Sequence, residues 1–223
     1  MENKKVQKKI KKEEDKQFFW FIAIVILCFS AFLIPYFYTQ SQKTFNYLGL
    51  KWDVQIDGKK QDQIEFYHTY VPKIYKGKNY GTHNFYLRND PRKNDIEVNI
   101  TELLFLKQYI ATMTPEILEC ENQNLAAFAL GDLTSTMPFI MNVSGATTEK
   151  EYATTHNILY TNCEDAPAQT TIVQMQKGNE TKIFLSPENP NCYIIQIENC
   201  EDNLKAVERL IIETIDKFGY KIE

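Results

Sequence analysis

The chain has 223 residues, with 25 lysines and arginines against 29 aspartates and glutamates, and a net charge of −4 at neutral pH. A mildly acidic balance without a basic stripe argues against a nucleic-acid partner. The length allows one folded domain, or two small ones, beyond an anchoring segment.

Residues 1–17 form a head with seven lysines (4, 5, 8, 9, 11, 12 and 16) against four acids. Phe18–Tyr38, FFWFIAIVILCFSAFLIPYFY, follows without a charge. At helical rise these 21 residues span about 30 Å, the thickness of a bilayer's hydrocarbon core. Phe18, Phe19 and Trp20 at one end, and Tyr36, Phe37 and Tyr38 at the other, suit the two headgroup interfaces. Pro35 is placed to end the helix in its last turn, where that costs least. The lysine-rich head outweighs an outer flank with only Lys43 and Lys51 nearby. The positive-inside rule then keeps the N-terminus cytoplasmic and puts Thr39–Glu223 outside the cell membrane. A cleaved signal would have an apolar core of about 7–15 residues with small residues at the cut. This core is longer, and Thr39 and Ser41 make a poor cut site, so the segment reads as an uncleaved signal anchor. Cys28 follows Leu27 rather than the small residue of a lipoprotein-type site, and reads as a lipid-facing or helix-packing thiol.

Of the charged residues, 18 of the 25 basic and 25 of the 29 acidic ones fall outside the head. Residues 39–46 read as a polar stalk. Trp52–Asp57 alternates apolar and polar and stops at Asp57-Gly58, the pattern of a half-buried strand and a turn. Ile64–Tyr75 and Asn79–Arg88 are two further strands, joined into a hairpin by Lys76-Gly77-Lys78. Pro72 restricts its strand to an edge or a bulge. Ile96–Ile100 alternates again. Residues 47–112 are thus a β-rich part, an antiparallel sheet with one wet face.

Residues 113–223 are a mixed α/β part. Thr114-Pro115-Glu116 is a helix start, with helix to about Met137 broken near Cys120–Asn124. Phe139–Val143 reads as a strand, Thr148–His156 as a short helix and Ile158–Cys163 as a strand. Thr170–Gln176, Thr181–Leu185 and Cys192–Ile197 are three more strands. Leu204, Val207, Leu210, Ile211, Ile215 and Phe218 share one face of a closing amphipathic helix, with Asp202 at its start and Gly219 at its end. The fold class is α+β: a single N-terminal transmembrane helix followed by a mixed extracytoplasmic domain.

Four cysteines lie outside: Cys120, Cys163, Cys192 and Cys200. An even count in an oxidising compartment suggests two disulfides, with three connectivities. Cys192 and Cys200 bracket an extended run too long for them to join directly, so each pairs with Cys120 or Cys163. Asn99, Asn142 and Asn179 begin sequons, candidate N-glycosylation sites of a glycoprotein.

Several stretches, FYLRNDPRK (85–93), GATTEKE (145–151), QKGNETKI (176–183) and NCYII (191–195), with the Ala206-Val-Glu-Arg209 helix behind, resemble a family of uncharacterised single-pass, membrane-anchored cell-envelope proteins of small-genome archaea. The resemblance covers most of the outer domain and implies an archaeal envelope setting. It implies no activity, substrate or catalytic residue.

Candidate chemistry is sparse. His68 and His83 sit in the two arms of the hairpin and could face one another, but two imidazoles are not a zinc site. His156, at the end of a short helix, suits a bond to the last carbonyls. Arg88, Asp90, Arg92 and Lys93 form a possible binding cluster for an anionic sugar or a carboxylate, and Asn-Asp-Pro within it is equally a turn initiator. Thr148 with Glu151 matches a capping box, a sufficient use for the GATTEK stretch. No G-x-S-x-G, S-x-x-K, H-E-x-x-H or C-x-x-C is present, and the adjacent acids Glu164 and Asp165 read as a solvated loop. No cofactor, metal or catalytic residue is expected. The reading is a membrane-anchored surface protein of unknown molecular activity, most simply a binding or interaction module for an envelope component or protein. A divergent envelope hydrolase of glycan or peptide, and an accessory subunit of a membrane complex, are the alternatives.

Overall fold

The structure, a computed structural model, describes residues 2–59 and 63–218. The chain divides into two units, Met1–Phe45 and Asn46–Glu223. The first is dominated by one helix, α1 (Glu2–Gln42). Within it Phe18–Tyr38 has a mean hydropathy of 2.6 and no buried side chain, and is long and apolar enough to cross a membrane. The helix does not end at Pro35. It runs on to Gln42, since a proline removes one backbone bond while the bonds on either side still propagate the helix. Half of the stalk expected at 39–46 is therefore helical, and a strand follows at Thr44.

Two sheets follow the helix, and all of their strand residues but Thr44 and Phe45 lie in the larger unit. The first has four strands, β1 (Thr44–Tyr47), β2 (Leu50–Asp57), β3 (Ile64–Tyr75) and β4 (Lys78–Leu87), in the order β1-β2-β3-β4. The β3–β4 hairpin turns at Lys76-Gly77, with φ of 50° and 73°. Two successive left-handed residues form the mirror-image turn whose twist matches a hairpin, and glycine takes that conformation without strain. Pro72 is not on an edge strand, because β3 lies between β2 and β4. Its missing N–H coincides with a register shift between Pro72 and Ile74. Alternation along the strands separates two faces. Leu50, Trp52, Val71, Phe85 and Leu87 are buried, while Lys51, Gln55, Tyr70 and Tyr86 meet solvent.

The second sheet has seven strands: β5 (Glu97–Asn99), β6 (Gln108–Met113), β7 (Asn142–Thr147), β8 (Leu159–Tyr160), β9 (Thr170–Lys177), β10 (Lys182–Leu185) and β11 (Cys192–Ile197). Their order is β5-β10-β11-β9-β6-β7-β8, and every pair is parallel except β10–β11. The helices are α2 (Pro115–Leu118), α3 (Gln123–Thr134), α4 (Lys150–His156) and α5 (Asp202–Phe218). α5 packs on β10, β11 and α3, burying Val207, Leu210, Ile211 and Ile215 of the expected face. Gly219 lies outside the described residues.

One strand has no forecast in the sequence, and two local expectations are corrected. β6 has no clear signal in the sequence because it lies between β9 and β7 with most of its length buried, so its residues do not alternate cleanly. The strand expected at Phe139–Val143 runs instead over Asn142–Thr147, where pairing from Gln108↔Asn142 to Met113↔Thr147 sets it and apolar Ile140 is left in a turn. The capping box does not form: α4 starts after Glu149 without a side-chain bond, and Thr114 likewise precedes α2 without one. The line between residues 112 and 113 falls inside β6, so the β-rich and mixed parts share a sheet. Two disulfides, Cys120–Cys200 and Cys163–Cys192, tie the α2–α3 connection to the start of α5 and the loop after β8 to the start of β11.

Candidate functional site

Among the described residues, three surfaces combine shape with chemistry. The first is the solvent face of the four-stranded sheet. Across it Asp53 is opposite His68 and His68 is opposite Tyr86. The His68 ring is almost fully buried, stacked on Tyr86 at 4.6 Å between centroids and meeting Tyr70 edge-on at 4.7 Å. Its Nδ1 lies 2.8 Å from an Asp53 oxygen, so the carboxylate accepts the Nδ1 proton and sets the tautomer. Burial by itself raises the Asp53 pKa, but hydrogen bonds from Gln55 and His68 outweigh it and hold the carboxyl below its ordinary value. His68 Nε2 is buried without a hydrogen-bond partner, which costs on the order of 1 kcal/mol. An Asp–His pair is the orienting half of a hydrolytic triad. Here, though, the second nitrogen is sealed beneath rings and reaches no hydroxyl. The pair therefore acts on the tyrosines. It fixes two rings that remain 55% (Tyr70) and 50% (Tyr86) exposed. An open cleft of about 440 Å³ adjoins Tyr86, lined by Gln55, Ile56, Asp57, Phe66 and Tyr86.

The second surface lies at the edge of the seven-stranded sheet. β8 covers only Ala146 and Thr147 of β7. Among the described residues no strand pairs with Asn142–Gly145 on that side, and all four are exposed. Thr147 O accepts from Thr161 N, so by alternation Val143 and Gly145 also turn their N–H and C=O outward. Beside this edge runs an apolar groove of about 310 Å³ between α3 and the sheet, lined by Met113, Leu118, Ala127, Gly131, Val143 and Ile158 among others. Its emptiness is built from small residues: a Cβ added at Gly131 or Gly145 would meet nothing within 4 Å.

The third is a polar cleft of about 410 Å³ over the Cys163–Cys192 disulfide, into which Glu164 and Glu188 both face with Gln174, Gln176 and Ser186.

Compared with family models, curated proteins and solved structures, the chain gives no match.

The residues singled out in the sequence are differently placed. His68 and His83 do not face one another. They lie on opposite faces of the hairpin, and His83 Nε2 reaches Asp132 of α3 at 2.9 Å. His156 Nδ1 lies 3.0 Å from the Tyr152 carbonyl and its ring stacks on Tyr152, a helix-end contact. Asp90 is held by Arg92 through two side-chain bonds and by the Arg92 backbone N–H, with Lys93 at 3.8 Å. Burial would raise the Asp90 pKa, but Arg92 lowers it below the ordinary value. The Arg88–Lys93 stretch is thus a turn closed by its own charges, and Arg88 lies over the Phe66 ring at 4.9 Å. Asn99, Asn142 and Asn179 are exposed. Among the described residues no three His, Cys, Asp or Glu side chains converge as a metal site. Sequence reasoning passed over Glu208, which is buried in α5 and accepts from the N–H groups of Arg88 and Asn89 and from the Asn89 amide. A lone glutamate on an amphipathic helix carries no signal that it faces inward.

Proposed function

We propose that the chain is a single-pass membrane protein whose outer unit is a binding module that takes an extended segment of a partner protein onto the free edge of β7. The observation that carries this is the edge itself. Natural sheets protect open edges with lysine, proline or bulges, and Asn142–Gly145 has none of these beside an empty apolar groove. An added strand would bond to the backbone groups of Val143 and Gly145, and its alternate side chains would enter the groove. The apolar Phe18–Tyr38 helix supports the anchor, and the two disulfides support an oxidising, extracytoplasmic location for the outer unit with the lysine-rich head inside. The exposure of Asn99, Asn142 and Asn179 suits glycan acceptors, and the resemblance noted above extends the proposal to an archaeal envelope.

The test is extraction of the full chain in mild detergent, native sizing, and identification of what co-migrates, for the parent and for two variants. Gly131→Leu fills the groove from a helix position that favours leucine over glycine. Val143→Lys charges the edge. Loss of the assembly in both variants, with folding intact, is the expected result. An assembly indifferent to both sinks the reading and turns attention to the α1 helix as the contact, as in an accessory subunit.

A second reading, an envelope glycan or peptide hydrolase, has one observation in its favour: Glu164 and Glu188 face the same polar cleft. Glycoside hydrolysis uses such a pair. If it holds, purified full-length protein cleaves a glycan, and Glu164→Gln or Glu188→Gln lowers the rate by about 100-fold or more. Equal rates in parent and variants end it.

A further inference from the structure

The solvent face of the four-stranded sheet is separate from the β7 edge. Tyr70 and Tyr86 are half exposed, and the buried His68 braces both from one side, stacking on Tyr86 and meeting Tyr70 edge-on. A ring held still before its ligand arrives loses little entropy on binding. Phe66 stands perpendicular to Tyr86 at 6.4 Å and walls the adjoining cleft. Around these apolar surfaces are groups that accept or donate hydrogen bonds in fixed positions. Asp53 already accepts from His68 and from Gln55 at 2.8 Å each, which pins the carboxylate and the amide while leaving further lone pairs.

Rigid flat rings bordered by pinned hydrogen-bonding groups match a molecule with one apolar face and a polar rim. A pyranose is such a molecule: its axial C–H groups form an apolar patch and its hydroxyls lie around the edge. An aromatic hydrocarbon would also stack but has no polar rim to meet Asp53 and Gln55. The charges on this face balance, Lys51 and Arg88 against Asp53 and Asp57, so no net field selects an anion or a cation. The cleft volume of about 440 Å³ falls in the range of small-ligand sites. We infer that this face is a saccharide-binding site, taking a neutral oligosaccharide with a sugar ring stacked on Tyr86, a second contact on Tyr70, and hydroxyls bonded to Asp53 and Gln55. Bound this way, the outer unit would hold a glycan of the envelope independently of any strand added at β7.

The experiment is isothermal titration calorimetry of the full-length protein in a detergent without a sugar headgroup, since a maltoside would compete. The probes are cellohexaose, laminarihexaose and mannohexaose as neutral ligands, and hexagalacturonate as the anion. At least one neutral oligosaccharide should bind, and hexagalacturonate should bind no more tightly than it does. Tyr86→Ala should weaken the bound sugar by about 10-fold or more. Tyr86→Phe, which keeps the ring and guards against a folding artefact, should stay within about 3-fold of the parent. The inference is overturned if none of the neutral probes titrates at about 5 mM, if the anion binds best, or if alanine and phenylalanine at position 86 behave alike.

Discussion

Glu208 shows what one buried carboxylate does for this fold. It lies on α5 and caps two backbone N–H groups just past the end of β4, joining an element of the first sheet to the helix that packs on the second. Burial raises its pKa above the ordinary 4.5, and the bonds from Arg88 and Asn89 only partly offset this. Glu208→Ala leaves three donors without their acceptor and should cost on the order of 3 kcal/mol in urea unfolding. The pH dependence has a definite sign. A folded-state pKa above the unfolded value means a contribution fully present below about 4.5 and lost as pH rises through the raised value. The stability of the parent relative to Glu208→Gln should therefore fall as pH climbs from about 4 toward 7. Asp53 and Asp90, with lowered pKa values, contribute the opposite dependence as pH drops below 3.8. They are common to both proteins and cancel in the difference.

The elements were legible in proportion to their local signal. β3 and β11 match the runs read from the sequence, β3 from its tyrosines and phenylalanines, and the turn at Lys76-Gly77 lies where its glycine placed it. β6 and β7 were not legible, because a strand inside a parallel sheet takes its register from neighbours far along the chain. The disulfides act at this scale too. Cys120–Cys200 spans 80 residues and Cys163–Cys192 spans 29. Constraining the unfolded chain stabilises more for the longer loop, by about 4.5 against about 3.6 kcal/mol on a loop-entropy basis. Replacing the Cys120–Cys200 pair by alanines should therefore lower the unfolding free energy by about 1 kcal/mol more than replacing the Cys163–Cys192 pair. Urea titration of the two double variants in detergent checks the order.

At the scale of the whole molecule, the contrast between the two units follows from their composition. Phe18–Tyr38 carries no charge, is mostly apolar, and satisfies nearly all of its backbone groups within one helix, which suits a hydrocarbon environment. Beyond it, strands from both halves of the chain enter the seven-stranded sheet, and α5 supplies its largest apolar face to cover it. The binding surfaces lie where that construction leaves something over: an edge that β8 is too short to cover, and a sheet face whose aromatic rings point away from the core.

The sequence by itself determined the apolar helix, the α+β class, the antiparallel hairpin and the amphipathic α5, because each is written in charge, periodicity or turn chemistry within a few neighbouring residues. Only the tertiary structure decided which cysteines pair, that His68 and His83 point to opposite faces, that Glu208 is buried, and that Tyr70 and Tyr86 share a rigid surface with Asp53. Those relations depend on cross-strand register and sheet order, which join residues far apart in the chain. No local pattern records them.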